Sequence, residues 1–397
     1  MTAWTRQTIE LAQTALVGEL PAAVALRHEL HANPDLSGVE EQTARRLLAA
    51  LNVDDAPDVA GGRLVRLGGP GLAVGLRAEL DALPVVERTG LEWAAMNGAG
   101  HVCGHDVHMA ALVAVARALR TSGQPVPMVA VLQPREEATP SGAADLIASD
   151  ELAAQQLGAM IGVHVQPRIP SGTYSCMPGV VNASSDDFTL VFNAHGGHAG
   201  YPHTSGDPVL AAAEIVVALQ GVVARQIDPL HSAVVTVGAI HGGNAGNVIP
   251  DSTRVLGTVR AFDAGDRAHL LAKVRQVANQ TAERHSCVLD CKIEPGEPPL
   301  ANDTQLAALT GRWIESTVAL TGVELRSCGS DDFAYYGSHC PSAMVFYGVG
   351  DASTSSPGLH NARFAPPDED VAGVARTLLA GYFAGCELIL GPPADLQ

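Results

Sequence analysis

From Val126 to Leu132 the chain is almost continuously apolar, and it runs straight into Gln133-Pro134-Arg135-Glu136-Glu137. A strand apolar at nearly every position is buried on both faces, so it demands a sheet covered on each side. Two other stretches repeat the pattern. Leu72 to Leu80 is a second strand, stopping at Glu79-Leu80-Asp81, and Ala159 to Val165 is a third, with His164 near its end. Between them, Met109 to Leu119 and Ser141 to Ala148 read as helices. Alternation of this kind predicts an α/β layer fold. Polar residues gathered at successive strand ends match the active-site edge of an open α/β sheet. An ordinary strand-ending turn explains each acidic residue equally well when taken singly.

With 397 residues, the chain exceeds the size at which one core keeps growing, so two domains are expected. The N-terminal stretch from about Thr5 to Leu51 reads as helical, with Ser37-Gly38-Val39-Glu40 as a capping box. Arg63 to Leu67 is a further strand. Beyond residue 183 the pattern changes. Asp186 to Phe192 alternates like a half-exposed strand, and Asp207-Pro208 is an N-cap and first-turn pair for a helix reaching about Val223. Ala233 to Ile240 and Arg254 to Phe262 are strands, Asp266 to about His285 a helix, and Val288 to Ile293 a strand. The resulting β-α-β-β-α-β order predicts a ferredoxin-like α+β sheet with two helices on one side, inserted as residues 184–294. The first domain, 1–183 and 295–397, then resumes with a helix over Thr304 to Val318. Asp331-Asp332-Phe333 opens a short turn, Ala343 to Val349 is a buried strand, and Glu369 to Leu390 a closing helix. A flexible loop, Ser353 to Asn361, carries His360.

The most chemically dense window is Cys103-Gly104-His105-Asp106-Val107-His108. Sorting polar residues at the strand ends adds Glu79, Asp81, Glu136, Glu137, His164 and His360. Borderline metals such as zinc accept this mixture of thiolate, imidazole and carboxylate. Cys103 can also be read as a thiol nucleophile or an inert buried thiol, and Glu136-Glu137 as a solvated acidic turn. Two glutamates beside a thiolate are hard to explain unless a cation neutralises them. There is no CxxC pair, HExxH helix, GxSxG elbow or GxxxxGK[ST] loop.

A formal charge of -18 without a basic block argues against nucleic acid as a partner. The start, Met1 to Arg6, lacks a charged region leading into an apolar signal core, and no later segment reads as the roughly 20 apolar residues that span a bilayer. Seven widely spaced cysteines suit a reducing compartment. A cytoplasmic protein with no membrane partner is expected.

Several stretches, in order along nearly the whole chain, resemble the M20 family of dinuclear metallopeptidases and amidohydrolases. They are Leu26 to Pro34, Leu76 to Pro84, His101 to His108, Gln133 to Glu137, Gly162 to Val165, Gly196 to His203, Asn247 to Pro250, Gly257 to Arg260, Gly329 to Phe333 and Leu359 to Asn361. The resemblance is strongest to its N-acyl-amino-acid amidohydrolases, the branch of hippurate and indole-acetyl-amino-acid hydrolases. It implies a zinc-peptidase-like catalytic domain with an inserted lid and dimerisation domain, in a homodimer or homotetramer. It further implies two divalent metal ions per subunit (Zn, or Mn, Co or Ni) held by Cys103, His105, Glu137, His164 and His360. Glu136 corresponds to the general base and Asp81 to a carboxylate that orients a ligand. His198 matches the histidine that, in relatives, reaches the partner's site and steadies an oxyanion. Asn247 and Arg260 match residues near the substrate, and His108 is expected in a supporting role.

The implied reaction is hydrolysis of the amide bond of a small N-acyl-L-amino acid. A dipeptidase or carboxypeptidase using the same chemistry is the alternative, and a metal-stabilised binding protein without turnover is a third reading. Some positions depart from the family pattern. Glu79 replaces Asp, Arg135 replaces Ala, and Ala138-Thr139-Pro140-Ser141-Gly142 replaces a Gly-rich continuation. His195 and Asp331 differ as well.

Overall fold

The computed structural model describes residues 4–351 and 357–395. Residues 1–3, and residues 353–356 of the loop expected over Ser353 to Asn361, lie outside this range. The chain divides into two compact units. One is discontinuous (Met1–Gly179, Ala301–Leu325 and Asp332–Gln397), and the other comprises Val180–Leu300 and Arg326–Asp331.

The first unit opens with helices α1 (Arg6–Ala32) and α2 (Glu41–Ala50). Then come strands β1 (Gly62–Leu67) and β2 (Ala73–Glu79), helix α3 (His105–Ser122), strand β3 (Met128–Gln133), helix α4 (Gly142–Ile147) and strand β4 (Leu157–Pro170). The second unit holds β5 (Asp186–Asn193), α5 (Pro208–Gln226), β6 (Ala233–Gly242), β7 (Ser252–Ala261), α6 (Ala264–Arg284) and β8 (Val288–Pro295). The chain returns through α7 (Thr304–Thr317), β9 (Ser342–Gly350) and α8 (Glu369–Leu390).

An eight-stranded sheet organises the first unit, with the central order β1-β3-β2-β4-β9 and short strands at both edges. β2 runs parallel to both β3 and β4, and β9 parallel to β4, whereas β1 is antiparallel to β3. Every residue of β2 and β3 is buried, which explains why both strands are apolar except at Arg77, Glu79 and Gln133. The parallel run brings the C-terminal ends of β2, β3 and β4 to one edge. Helices α3 and α8 contribute Val107, Leu112, Val115, Leu378 and Tyr382 to the core against this sheet. In the second unit the four strands are antiparallel in the order β6-β7-β5-β8. Phe188, Leu190 and Phe192 pack there with Ile215 and Leu219 of α5 and Leu270 and Val274 of α6. The architecture is α/β with a separate α+β unit, as the strand and helix pattern predicts.

Two expectations fail. Ser37-Gly38-Val39-Glu40 is no capping box, because the N-cap of α2 is Glu40 and makes no side-chain cap bond. Among the described residues three helices, α1, α5 and α8, are long and apolar enough by length and composition to cross a membrane, contrary to the expectation of none. Alanine-rich helices reach that hydropathy without an unbroken apolar run. In α8 the face is spent on the core, with 72% of its apolar window buried inside the protein.

Candidate metal centre

The polar side chains gather at the shared sheet edge. Asp81 follows β2, Glu136 and Glu137 follow β3, and His164 lies within β4. Cys103 and His105 flank Gly104 at the start of α3. Gly104 sits at φ +88°, and a Cβ there would lie 2.4 Å from Val165 Cγ2. Only glycine fits this close approach of helix to strand. His360 is held by its own N–H, which donates to the Val102 carbonyl at 2.8 Å. That bond sets it beside the Cys103 segment although 257 positions separate them in sequence.

The imidazoles are oriented by what their second nitrogens do. His105 Nδ1 donates to the Asp81 carbonyl at 2.8 Å, with the Asp81 carboxylate 3.6 Å away. Its Nε2 is buried and lacks a hydrogen-bond partner among the described residues. His164 Nδ1 donates to the Val165 carbonyl at 2.7 Å, leaving Nε2 facing Cys103 Sγ at 3.5 Å. His360 Nε2 stands 3.1 Å from Glu137 Oε1. One donor atom from each of Cys103, His105 and Glu137 lies within 4.8 Å of the other two. A fixed tautomer with the other nitrogen buried and turned toward thiolate and carboxylate donors is what a metal-ligating histidine needs. The donor set fits a borderline divalent ion.

Glu79, His105, His108 and His164 form a second close group, but His108 and Glu79 are committed elsewhere. His108 Nε2 accepts from Val165 N–H at 3.0 Å, so Nδ1 carries the proton and donates to Glu79 Oε2 at 3.0 Å. Glu79 also pairs with Arg77.

Electrostatics make the same demand for positive charge. Burial raises the Cys103 thiol well above its usual range, and Glu137 and Glu136 raise it further. Burial works against charging His105, yet its bond to Asp81 and the charges of Glu79, Asp81 and Glu137 push it up to about 10. His164 is lowered to about 3 by burial and then by His108. The cluster thus keeps a proton on sulfur and draws one onto an imidazole unless a cation supplies the charge.

Asp81 ties the arrangement together. Its Oδ2 accepts from Ser37 Oγ at 2.7 Å and from Glu137 N–H at 2.9 Å. Glu136 Oε2 lies 3.8 Å from His105 Nε2. The sequence-selected residues Asp81, Cys103, His105, Glu136, Glu137, His164 and His360 therefore converge. His198, Asn247 and Arg260 belong to the second unit. There, His198 pairs with Val248 in a short antiparallel ladder and its Nδ1 accepts from Gly200 N–H at 2.9 Å. Asn247 is exposed, and its carbonyl accepts from Ala199 N–H at 3.1 Å. Arg260 donates to the Cys328 carbonyl at 3.2 Å and to Ser330 Oγ at 3.3 Å.

The sequence reading missed the buried supports. Arg77 reaches Asp332 at 2.8 Å and Gln133 at 3.0 Å, and Gln133 donates to Asp332 at 2.8 Å. An arginine inside the otherwise apolar run Leu76-Arg77-Ala78 was the available signal, since a buried guanidinium requires carboxylate partners.

Comparison with known proteins agrees with this geometry. The model of peptidase family M20/M25/M40 matches residues 75–381. The N-acetyl-L-cysteine deacetylase of Bacillus subtilis is 35% identical over 335 residues, covering 82% of this chain and 80% of that protein. The N-acetyldiaminopimelate deacetylase of Halalkalibacterium halodurans is 32% identical over 374 residues, covering 91% and 98%. The crystal structure of the Bacillus subtilis YXEP protein, described as a dinuclear metal binding peptidase from the M20 family, superposes with a TM-score of 0.76 at 27% identity, covering 94% and 99%. The match over most of the length, joined to a buried donor cluster that calls for a cation, means that this chain belongs to peptidase family M20/M25/M40 and is a metal-dependent hydrolase.

Proposed function

We propose that the chain hydrolyses the amide bond of N-acyl-L-amino acids, releasing a carboxylic acid and a free amino acid. In this reading, Cys103, His105, Glu137, His164 and His360 hold two divalent ions. Zinc suits the mixed donors, and manganese, cobalt and nickel are the other candidates. When bound, the ions supply Lewis-acid polarisation of the scissile carbonyl and lower the pKa of a water. The carrying observation is Glu136, a carboxylate next to the donor Glu137 and 3.8 Å from the buried His105 Nε2. From there Glu136 takes the proton of the attacking water and returns it to the leaving nitrogen.

Asp81 fixes His105 and the Glu137 main chain, so the base and the donors keep one relative geometry. We assign His198 to the developing oxyanion, a contact worth about 3 kcal/mol per well-placed donor. We assign Asn247 and Arg260 to the amino-acid portion, where a guanidinium grips a carboxylate through two parallel bonds. These three assignments rest on motif resemblance. The deacetylase relatives support an N-acyl substrate over an unblocked dipeptide. The proposal includes a homodimer or homotetramer in the cytoplasm, and the seven free cysteines suit that compartment.

Release assays over acetyl-, benzoyl-, indole-acetyl- and long-chain-acyl amino acids, beside unblocked dipeptides, test the substrate class. Faster cleavage of dipeptides would favour the dipeptidase reading. For the mechanism, Glu136→Gln is expected to keep its metal and to lose about 10²- to 10⁴-fold in kcat. Turnover equal to the parent enzyme would remove Glu136 from the base role.

A further inference from the structure

We propose that Arg135 is a positioning residue, a clasp that closes the β3–α4 connection and thereby sets Glu136 relative to Glu137. This inference rests on the reading of Glu136 as the base. Arg135 immediately precedes that residue and lies in the left-handed region at φ +52°, a conformation that a non-glycine residue holds only when its surroundings impose it.

Three connections through Arg135 supply that constraint. Its N–H donates to Oε1 of the buried Glu40 at 2.8 Å. Its carbonyl accepts from Gly142 N–H at 3.1 Å, joining the two ends of the connection. Its guanidinium donates to the Pro140 carbonyl at 3.2 Å, the Ala60 carbonyl at 3.2 Å and Asp145 Oδ2 at 2.6 Å. The planar fork of arginine reaches three acceptors at once, which neither alanine nor a lysine ammonium reproduces. Gly142 completes the closure, because a Cβ there would lie 1.8 Å from the Pro134 carbonyl oxygen. The two glutamates therefore project from a loop tied at its base to the strand hairpin around Ala60, to the segment before α2 and to the first turn of α4.

None of these partners is a proposed metal donor, so the clasp acts on geometry. Loss of the guanidinium leaves the donor residues in place but lets the Glu136 carboxylate wander from the water it must deprotonate. That lowers kcat while sparing KM and metal content.

The test compares Arg135→Ala, Arg135→Gly, Asp145→Ala and the Arg135→Ala/Asp145→Ala pair. Glycine removes the backbone strain and the fork together, so it separates the clasp from the φ requirement. Hydrogen–deuterium exchange on the metal-free protein reads the loop directly. The segment 134–145 is expected to exchange about tenfold faster in both Arg135 variants, with β2 and β4 unchanged. In the metal-loaded enzyme, both variants are expected to show kcat about tenfold lower at unchanged KM and metal stoichiometry, and the pair to be no worse than Arg135→Ala alone. Parent-like protection of 134–145 in Arg135→Gly would overturn the clasp, as would a kcat within twofold of the parent. Absent turnover in the parent enzyme, or an active Glu136→Gln, would instead strike the hydrolase reading, leaving the exchange result to decide the clasp.

Discussion

Cys103 is held protonated by burial and by two neighbouring glutamates, and a cation reverses that balance by paying the thiolate's desolvation in coordination. Its role is therefore measurable as stoichiometry. Cys103→Ala, a small change at a buried position, is expected to fold and to bind fewer than two metal ions per chain by elemental analysis. A full pair in that variant would contradict the assignment of Cys103 as a shared or near-shared ligand. The same scale shows where the sequence was legible. Position at a strand end or helix start collected Glu79, Asp81, Cys103, His105, Glu136, Glu137, His164 and His360 as donor types, and the family resemblance singled out Cys103, His105, Glu137, His164 and His360 among them as ligands. Ser37 and Glu40 misled, because their spacing imitates a capping box. In the fold Ser37 supports Asp81 and Glu40 holds the Arg135 N–H. A side chain that bonds across 44 or 95 positions leaves no local pattern to read.

At the scale of elements, the strands and helices of the sheet could be located from hydropathy, and α8 was bounded correctly at both ends. β4 was not, since it continues to Pro170 beyond the apolar run, where pairing with β9 sustains it. Burial also loads some elements with charge. Asp370, in the first turn of α8, accepts from the Tyr347 hydroxyl at 3.3 Å and is raised to about 6 by burial. A folded-state value above that of the unfolded chain means the group favours folding below pH 4. The advantage is then lost as pH rises through 6. Asp370→Asn, which keeps the acceptor without the charge, is expected to be more stable than the parent at pH 7 by roughly 2 kcal/mol. The gap should close toward pH 4. Denaturant melts at both pH values check this, and a variant less stable at pH 7 would show that the helix N-terminus outweighs burial.

For the molecule as a whole, the consequential fact is that the proposed donors straddle the insertion. Four come from residues 103–164 and the fifth, His360, from the returning segment, so one cluster joins parts of the first unit that the second unit separates in sequence. On this proposed ligand set, bound metal would act as a cross-link between the two chain segments as well as a neutraliser of Glu136, Glu137 and Cys103. A ligand that binds only the folded state adds RT ln(1 + [L]/Kd), about 4 kcal/mol at a thousandfold excess over Kd. The thermal midpoint is accordingly expected to rise with the logarithm of free metal concentration and to fall on chelation. Cys103→Ala should show a smaller rise. Hydrogen exchange should assign the gain to peptides of α3, β4 and the segment 357–365, with the strands of the second unit unchanged. A midpoint indifferent to chelation, in a protein shown to bind metal, would mean that the ions bind the unfolded chain as tightly as the folded one, and would overturn the cross-link.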